Sequence, residues 1–162
     1  MTPVNIRIES NFQYPGETPE PDVLAYTVPG KCLRTDDGIQ LQYDEPACTG
    51  MENVRTTVNI LRDGVITVYR GGQMCDLLGG SPVTLALAFE RSRPQEGTYE
   101  NDCIAFPFVV RTDRLECSFT EEGGCFDVAY SMEIQGQMAS VNRLKLVATP
   151  ATPLLSKKEG TP

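Results

Sequence analysis

The chain contains no histidine, and that absence removes most of the usual routes by which a small domain does chemistry. Ser-His-Asp triads, Cys-His dyads, histidine general bases and most zinc, copper and iron sites all need an imidazole. No Cys-x-x-Cys pair occurs, and no P-loop, dinucleotide-binding or nucleophile-elbow motif is present. No apolar stretch approaches the length of a transmembrane helix. The first ten residues include Arg7 and Glu9 and lack the continuous apolar segment of a secretion signal, so the expected location is the cytoplasm. Basic residues form no run except Lys157–Lys158. With a formal net charge of -8 and a pI of about 4.6, the surface repels phosphate backbones and anionic headgroups. Nucleic acid and membranes are therefore not expected partners, and no cofactor or metal is expected.

What is present is enough for one domain. The 162 residues are 40% hydrophobic, and a chain of this size buries a core without disulfide or metal staples. The six cysteines (Cys32, Cys48, Cys75, Cys103, Cys117 and Cys125) read as free thiols, because a reducing cytosol keeps them so and free cysteine packs as a small hydrophobe.

Apolar residues recur with a period of two, the signature of strands. Val4, Ile6, Ile8 and Phe12 alternate with Asn5, Arg7, Glu9 and Asn11. A proline-rich connection over 14–21 follows, which no central strand tolerates. Val23 to Leu33 reads as a strand bent at Pro29-Gly30. After the turn Asp36-Asp37-Gly38, Ile39, Leu41, Tyr43 and Glu45 share one strand face. Asp63-Gly64, between Val54–Leu61 and Val65–Arg70, marks a hairpin. With those two as the loop, Arg62 faces Val65 and Thr57 faces Arg70. Gly71-Gly72 and Gly79-Gly80 bracket an irregular stretch in which Leu77 and Leu78 act as a plug. Val83 to Phe89 is apolar on both faces, which predicts cover on both sides or an interface. Strands over Cys103–Arg111 (with Pro107 at an edge or bulge), Leu115–Phe119, Phe126–Ile134 and Leu144–Ala148 complete the set. Short strands with turns every roughly 8–12 residues point to an all-β sandwich or an up-and-down barrel. Closure removes aggregation-prone edges, so a single antiparallel barrel of about 8–10 strands over residues 1–148 is expected. Residues 149–162 read as a flexible tail.

Arg70 shares a strand face with Ile66 and Val68. If that face is interior, the cation needs a carboxylate or an anionic ligand. Glu45 is the candidate partner, and a structural ion pair at the barrel rim is the competing reading. Tyr43, Tyr69, Tyr99 and Tyr130 offer hydroxyls to a ligand or to the backbone. Glu100-Asn101-Asp102 lacks the spacing of a calcium loop and reads as a solvated turn, as does Glu121-Glu122.

An ordered series of residues over roughly 4–148 resembles the YwiB-like family of uncharacterised bacterial proteins. The series comprises Thr27 and Gly30, Tyr43-x-Glu45, Thr57, Arg70-x-Gly72, Phe89, Tyr99, Thr112, Glu122-Gly123-Gly124, Tyr130-x-Met132 and Asn142. The chain departs from it after Tyr99, where Glu100-Asn101-Asp102 replaces a Thr-Pro-aromatic-Gly segment. The resemblance implies a calycin-like barrel and no established activity; fold does not supply function. Three readings follow. The first is non-catalytic binding of a small, partly apolar molecule inside a lipocalin-type barrel, through Tyr43, Glu45, Arg70, Tyr99 and Tyr130. The second is a homodimeric interaction module, and the third an enzyme using Glu45, Arg70 and a tyrosine.

Overall fold

The computed structural model describes residues 1–16, 22–49, 52, 54–73 and 82–151. Ten strands follow one another in the chain: β1 (Thr2–Gln13), β2 (Asp22–Thr35), β3 (Gly38–Asp44), β4 (Arg55–Leu61), β5 (Ile66–Gln73), β6 (Pro82–Phe89), β7 (Gln95–Asn101), β8 (Ala105–Thr120), β9 (Gly123–Ile134) and β10 (Gln137–Pro150). Each pairs antiparallel with its sequence neighbours, and β10 pairs with β1, which closes an up-and-down barrel. Among the described residues there is no α-helix, and the one helical element is a 3-10 turn at Ala47–Thr49. The Leu77–Leu78 plug and the tail from residue 152 onward lie outside the described residues. Thr149 and Pro150 continue β10 and pair with Asn5 and Val4.

The period-two pattern becomes the two faces of the wall. Val4, Ile6 and Ile8 of β1 are buried, while Asn5 and Arg7 between them are exposed and Glu9 beyond them is half-buried. Inward-facing Val28, Leu41, Val58, Ile66, Phe89, Phe126, Val128 and Leu146 extend the same core around the barrel. Full burial of such a side chain stabilises the fold by about 1.5–3 kcal/mol.

The hairpin between β4 and β5 departs from its sequence reading by one residue. Leu61 N–H donates to Val65 O, and Gly64 N–H donates to Leu61 O. The loop is therefore Arg62-Asp63-Gly64, three residues long, with Gly64 at φ +92°. Both two- and three-residue hairpins favour a glycine at this left-handed position, so Asp-Gly marks the turn without fixing its length. Arg70 thus faces Thr56, not Thr57. The extra residue turns Val54, Thr56, Val58 and Ile60 inward together, and all four are buried.

Gly71 and Gly72 lie inside β5, paired with Arg55, Thr84 and Val83, and the stretch between them and Gly79-Gly80 lies, beyond Gln73, outside the described residues. Pro107 sits at an edge, as expected for a proline: it pairs with Thr98 of β7 where β8 has not yet met β9, whose ladder starts at Val109, while the β8 bulge falls later, between Thr112 and Arg114. At Pro29-Gly30 β2 does not stop, but it parts from β3. The two pair from Lys31↔Gln42 to Thr35↔Gly38, and the remainder of β2 pairs only with β1. Gly30 allows this crossing, since a Cβ there would lie 2.8 Å from the Gln42 carbonyl oxygen and 2.4 Å from Ile6 Cδ1.

The two barrel ends differ. One carries the tight connections β2–β3, β4–β5 and β8–β9 and is cross-tied by Arg34 Nε to Glu121 Oε2 at 3.1 Å. The other carries the connections β1–β2, β3–β4, β5–β6, β7–β8 and β9–β10, and the polar interior residues gather there.

Candidate functional site

Alternation brings the polar residues together. Tyr43 continues the inward face of Leu41, and Glu45 follows one step beyond the end of β3. Glu45 is fixed by its backbone N–H, which donates to Val54 O at 2.8 Å. Arg70 continues the inward face of Ile66 and Val68 and lies beside Thr56 and Leu85. From the far side of the barrel comes Tyr130, paired with Thr112 and Asn142. Its ring packs on Phe89 with centroids 4.7 Å apart. Tyr26 of β2, paired with Ile8, completes the group.

The Glu45 side chain is 0% exposed and that of Arg70 19%. Arg70 Nε lies 3.6 Å from Glu45 Oε1, and Tyr26 O–H donates to the two carboxylate oxygens at 3.4 and 3.5 Å. All three contacts are long, because charge-assisted hydrogen bonds settle at about 2.7–2.9 Å. Arg70 Nε accordingly has no hydrogen-bond partner.

The electrostatics follow from this loose packing. Burial pushes the Glu45 pKa above its ordinary value, against the lowering effect of Arg70 and of the Thr56 and Tyr26 hydroxyls. Thr56 Oγ1 nevertheless forms no hydrogen bond of good geometry. Burial disfavours the Arg70 cation, but Tyr43, Glu45 and Tyr26 around it outweigh that cost and hold its pKa above the ordinary value. Tyr43 and Tyr26 are both pushed up, chiefly by burial. Tyr130 is pushed up to about 12 by burial, with Arg70 pulling the other way. At neutral pH the tyrosines are neutral donors.

Four buried side-chain atoms lack a hydrogen-bond partner among the described residues: Thr56 Oγ1, Arg70 Nε, Thr112 Oγ1 and Asn142 Oδ1. They are not scattered. Thr56 faces Arg70, Thr112 and Asn142 flank Tyr130, and Tyr130 is within electrostatic reach of Arg70. Each such atom costs about 1–3 kcal/mol when left unpaired.

Of the residues singled out from sequence, Tyr43, Glu45, Arg70 and Tyr130 meet here. Tyr99 stands apart, two strands from Arg70 across Leu85. Its hydroxyl accepts from Asn101 Nδ2 at 3.1 Å, and its ring packs on Phe106 at 5.4 Å. Asn101 Oδ1 in turn accepts from the backbone of Cys103 and Ile104; Glu100 and Asn101 end strand β7, so the turn lies at Asp102–Cys103 and not over Glu100-Asn101-Asp102 as expected. Tyr69 faces outward and is 48% exposed. Tyr26 and Thr56 are members the sequence did not single out. Among the described residues no three His, Cys, Asp or Glu side chains group closely enough to hold a metal ion.

Two clefts flank the interior. A cleft of about 250 Å³ opens beside Tyr43 where β2 and β3 part, with Lys31 and Arg55 at its rim. A second, of about 420 Å³, lies at the tight-turn end between Ile39, Ile60, Ile66, Cys117 and Phe119. None of the four unpartnered atoms lines either cleft; Tyr43 is the site residue that reaches the first.

Comparison with known proteins agrees with this architecture. Residues 6–146 match the family described as Domain of unknown function (DUF1934). The chain belongs to that family. It is similar in fold to the crystal structure of the ywiB protein from Bacillus subtilis, at 18% identity and a TM-score of 0.74, over 93% of each chain. No curated protein matches it. No helix among the described residues is long and apolar enough to cross a membrane.

Proposed function

We propose that this barrel binds a small, partly apolar molecule at the polar end of its interior and does no chemistry on it. The observation that carries this reading is that Thr56 Oγ1 and Arg70 Nε, on facing strands, and Thr112 Oγ1 and Asn142 Oδ1, on either side of Tyr130, are buried without protein partners. Folded domains leave few buried polar atoms unpaired, and a group of them on one surface needs an occupant. Ordered water is the minimal one. Arg70 selects more, since a buried cation held only loosely by its carboxylate favours a ligand with an acceptor of its own. Phe89, Tyr130 and Leu85 beside it supply apolar contact for the rest of the molecule.

Nothing in the arrangement resembles a nucleophile with its base. Tyr26, Tyr43 and Tyr130 all have raised pKa values and stay protonated, which suits donors better than nucleophiles. Native mass spectrometry of the protein purified from its own host tests the reading. The expected result is a co-purifying small molecule that is lost on denaturation. A clean monomeric apo mass would overturn it, and a clean dimer mass would favour an interaction module instead.

A further inference from the structure

From the loose Arg70–Glu45 pairing we infer that the molecule bound here is a carboxylate with an apolar body, and that Glu45 takes up a proton when it binds. The inference rests on the binding reading above and names the ligand class for it.

The geometry supplies two halves of a carboxylate site. Arg70 Nε is buried, carries a hydrogen and has no acceptor. A planar guanidinium is shaped to donate to a planar carboxylate. Thr56 Oγ1, also unpartnered, faces Arg70 directly across the β4–β5 ladder and is a second donor for the same group. The acceptor already present, Glu45, stands at 3.6 Å, beyond hydrogen-bond length. An incoming carboxylate therefore competes for Arg70 on favourable terms.

Its arrival puts two carboxylates beside one cation in a buried space. Like charges at such range cannot both stay ionised, and one proton is shared or held by one partner. Glu45 is the one to take it, because its side chain has no exposure and its contacts to Arg70 and Tyr26 are long, at 3.6 and 3.4 Å. The groups facing it are known from every packed element. They are Tyr26 on β2, Tyr43 on β3, Thr56 on β4 and Arg70 on β5, with Tyr130 on β9 within electrostatic reach of Arg70. Arg70 is the one cation among them, and the tyrosines stay neutral throughout the range where a carboxyl titrates. Glu45 is thus the group that titrates. In the bound state a protonated Glu45 donates to the ligand carboxylate or to Tyr26, and the charge sum of the site is unchanged: Arg70 with one carboxylate before, Arg70 with one carboxylate after.

The test uses benzoate as the probe and benzamide as its neutral isostere, by calorimetry in buffers of different ionisation enthalpy. Benzoate is expected to bind with uptake of close to one proton above the Glu45 titration. Its affinity then falls about tenfold per pH unit. Glu45→Gln, an isosteric change, is expected to bind benzoate without proton uptake and without that slope. Arg70→Met is expected to lose benzoate binding. Equal binding of benzamide, benzoate binding with no proton uptake, or a retained pH slope in Glu45→Gln would each overturn the inference. If native mass spectrometry finds a bound neutral molecule and benzoate does not bind, the carboxylate inference fails while the binding reading stands. If neither is found, both fail.

Discussion

Arg70 Nε approaches the wholly buried Glu45 carboxylate to 3.6 Å and makes no hydrogen bond to it. The pair has the cost of a buried ion pair without its best geometry, so its pH behaviour is the first thing to measure. Burial holds the Glu45 pKa above its ordinary 4.5. An acid whose folded-state pKa is raised is more protonated in the folded chain than in the unfolded one. Its contribution is fully present below the unfolded value and is lost as pH rises through the folded value. Arg70→Met removes the one nearby cation and raises the folded pKa further. Breaking a buried pair in this way costs about 3–5 kcal/mol. Urea denaturation should therefore show a large loss at mildly alkaline pH and a smaller one near pH 4, while Glu45→Gln should flatten the profile. A pH-independent loss in Arg70→Met would mean that Glu45 is not the titrating partner.

The floor of the site is Phe89, fully buried and packed on Tyr130. Phe89→Ala removes a large side chain from a closed wall that has little room to collapse. The expected loss is about 3–5 kcal/mol, read as a lower urea midpoint with an unchanged slope. Because Tyr130 lies within electrostatic reach of Arg70, ligand affinity should fall as well. A loss under about 1 kcal/mol would show that the barrel repacks around the gap.

Gly30 and Gly64 separate two uses of glycine. Gly64 sits at φ +92° with open space around its Cα, so Gly64→Ala strains the backbone alone and should cost about 1–2 kcal/mol. At Gly30 a Cβ would press on a backbone carbonyl 2.8 Å away as well as on Ile6. Gly30→Ala must therefore shift the β2–β3 crossing, and should lower the melting temperature by more than Gly64→Ala. The reverse order would mean that β2 yields at the place where it parts from β3.

How far the sequence carried depends on which physics is local. Side-chain alternation is local, so the strands of β1, β3, β5 and β9 were legible, as was the shared face of Ile39, Leu41, Tyr43 and Glu45. From the same pattern Arg70 could be paired with Glu45, since each ends an apolar stripe that had to point inward. Register is not local. Asp63-Gly64 announces a turn but not its length, and the third loop residue, Arg62, moved Arg70 from Thr57 to Thr56. Tyr26 was invisible for a related reason. Val23 and Ala25 alternate with Leu24 and Tyr26 without contrast, and only pairing with Ile8 of β1 decides that Tyr26 points inward. Tyr99 shares a row with Leu85 and Arg70, and that its hydroxyl accepts from Asn101 is a contact periodicity does not reveal.

Thr56 and Thr112 give the sharpest separation between a binding site and an indifferent interior. Both hydroxyls are buried and unpartnered. Valine has nearly the same shape and replaces the oxygen with a methyl group. At an ordinary core threonine the change loses a hydrogen bond and destabilises the fold. Here no protein bond exists to lose, and removing an unpaired buried oxygen recovers about 1–3 kcal/mol of desolvation. Thr56→Val and Thr112→Val should therefore raise the urea midpoint of the ligand-free protein. If the hydroxyls serve a ligand, the same variants should bind the molecule found by native mass spectrometry more weakly, so stability and affinity move in opposite directions. Both variants losing stability would instead place bound water or backbone partners on these hydroxyls and remove the main support for a ligand.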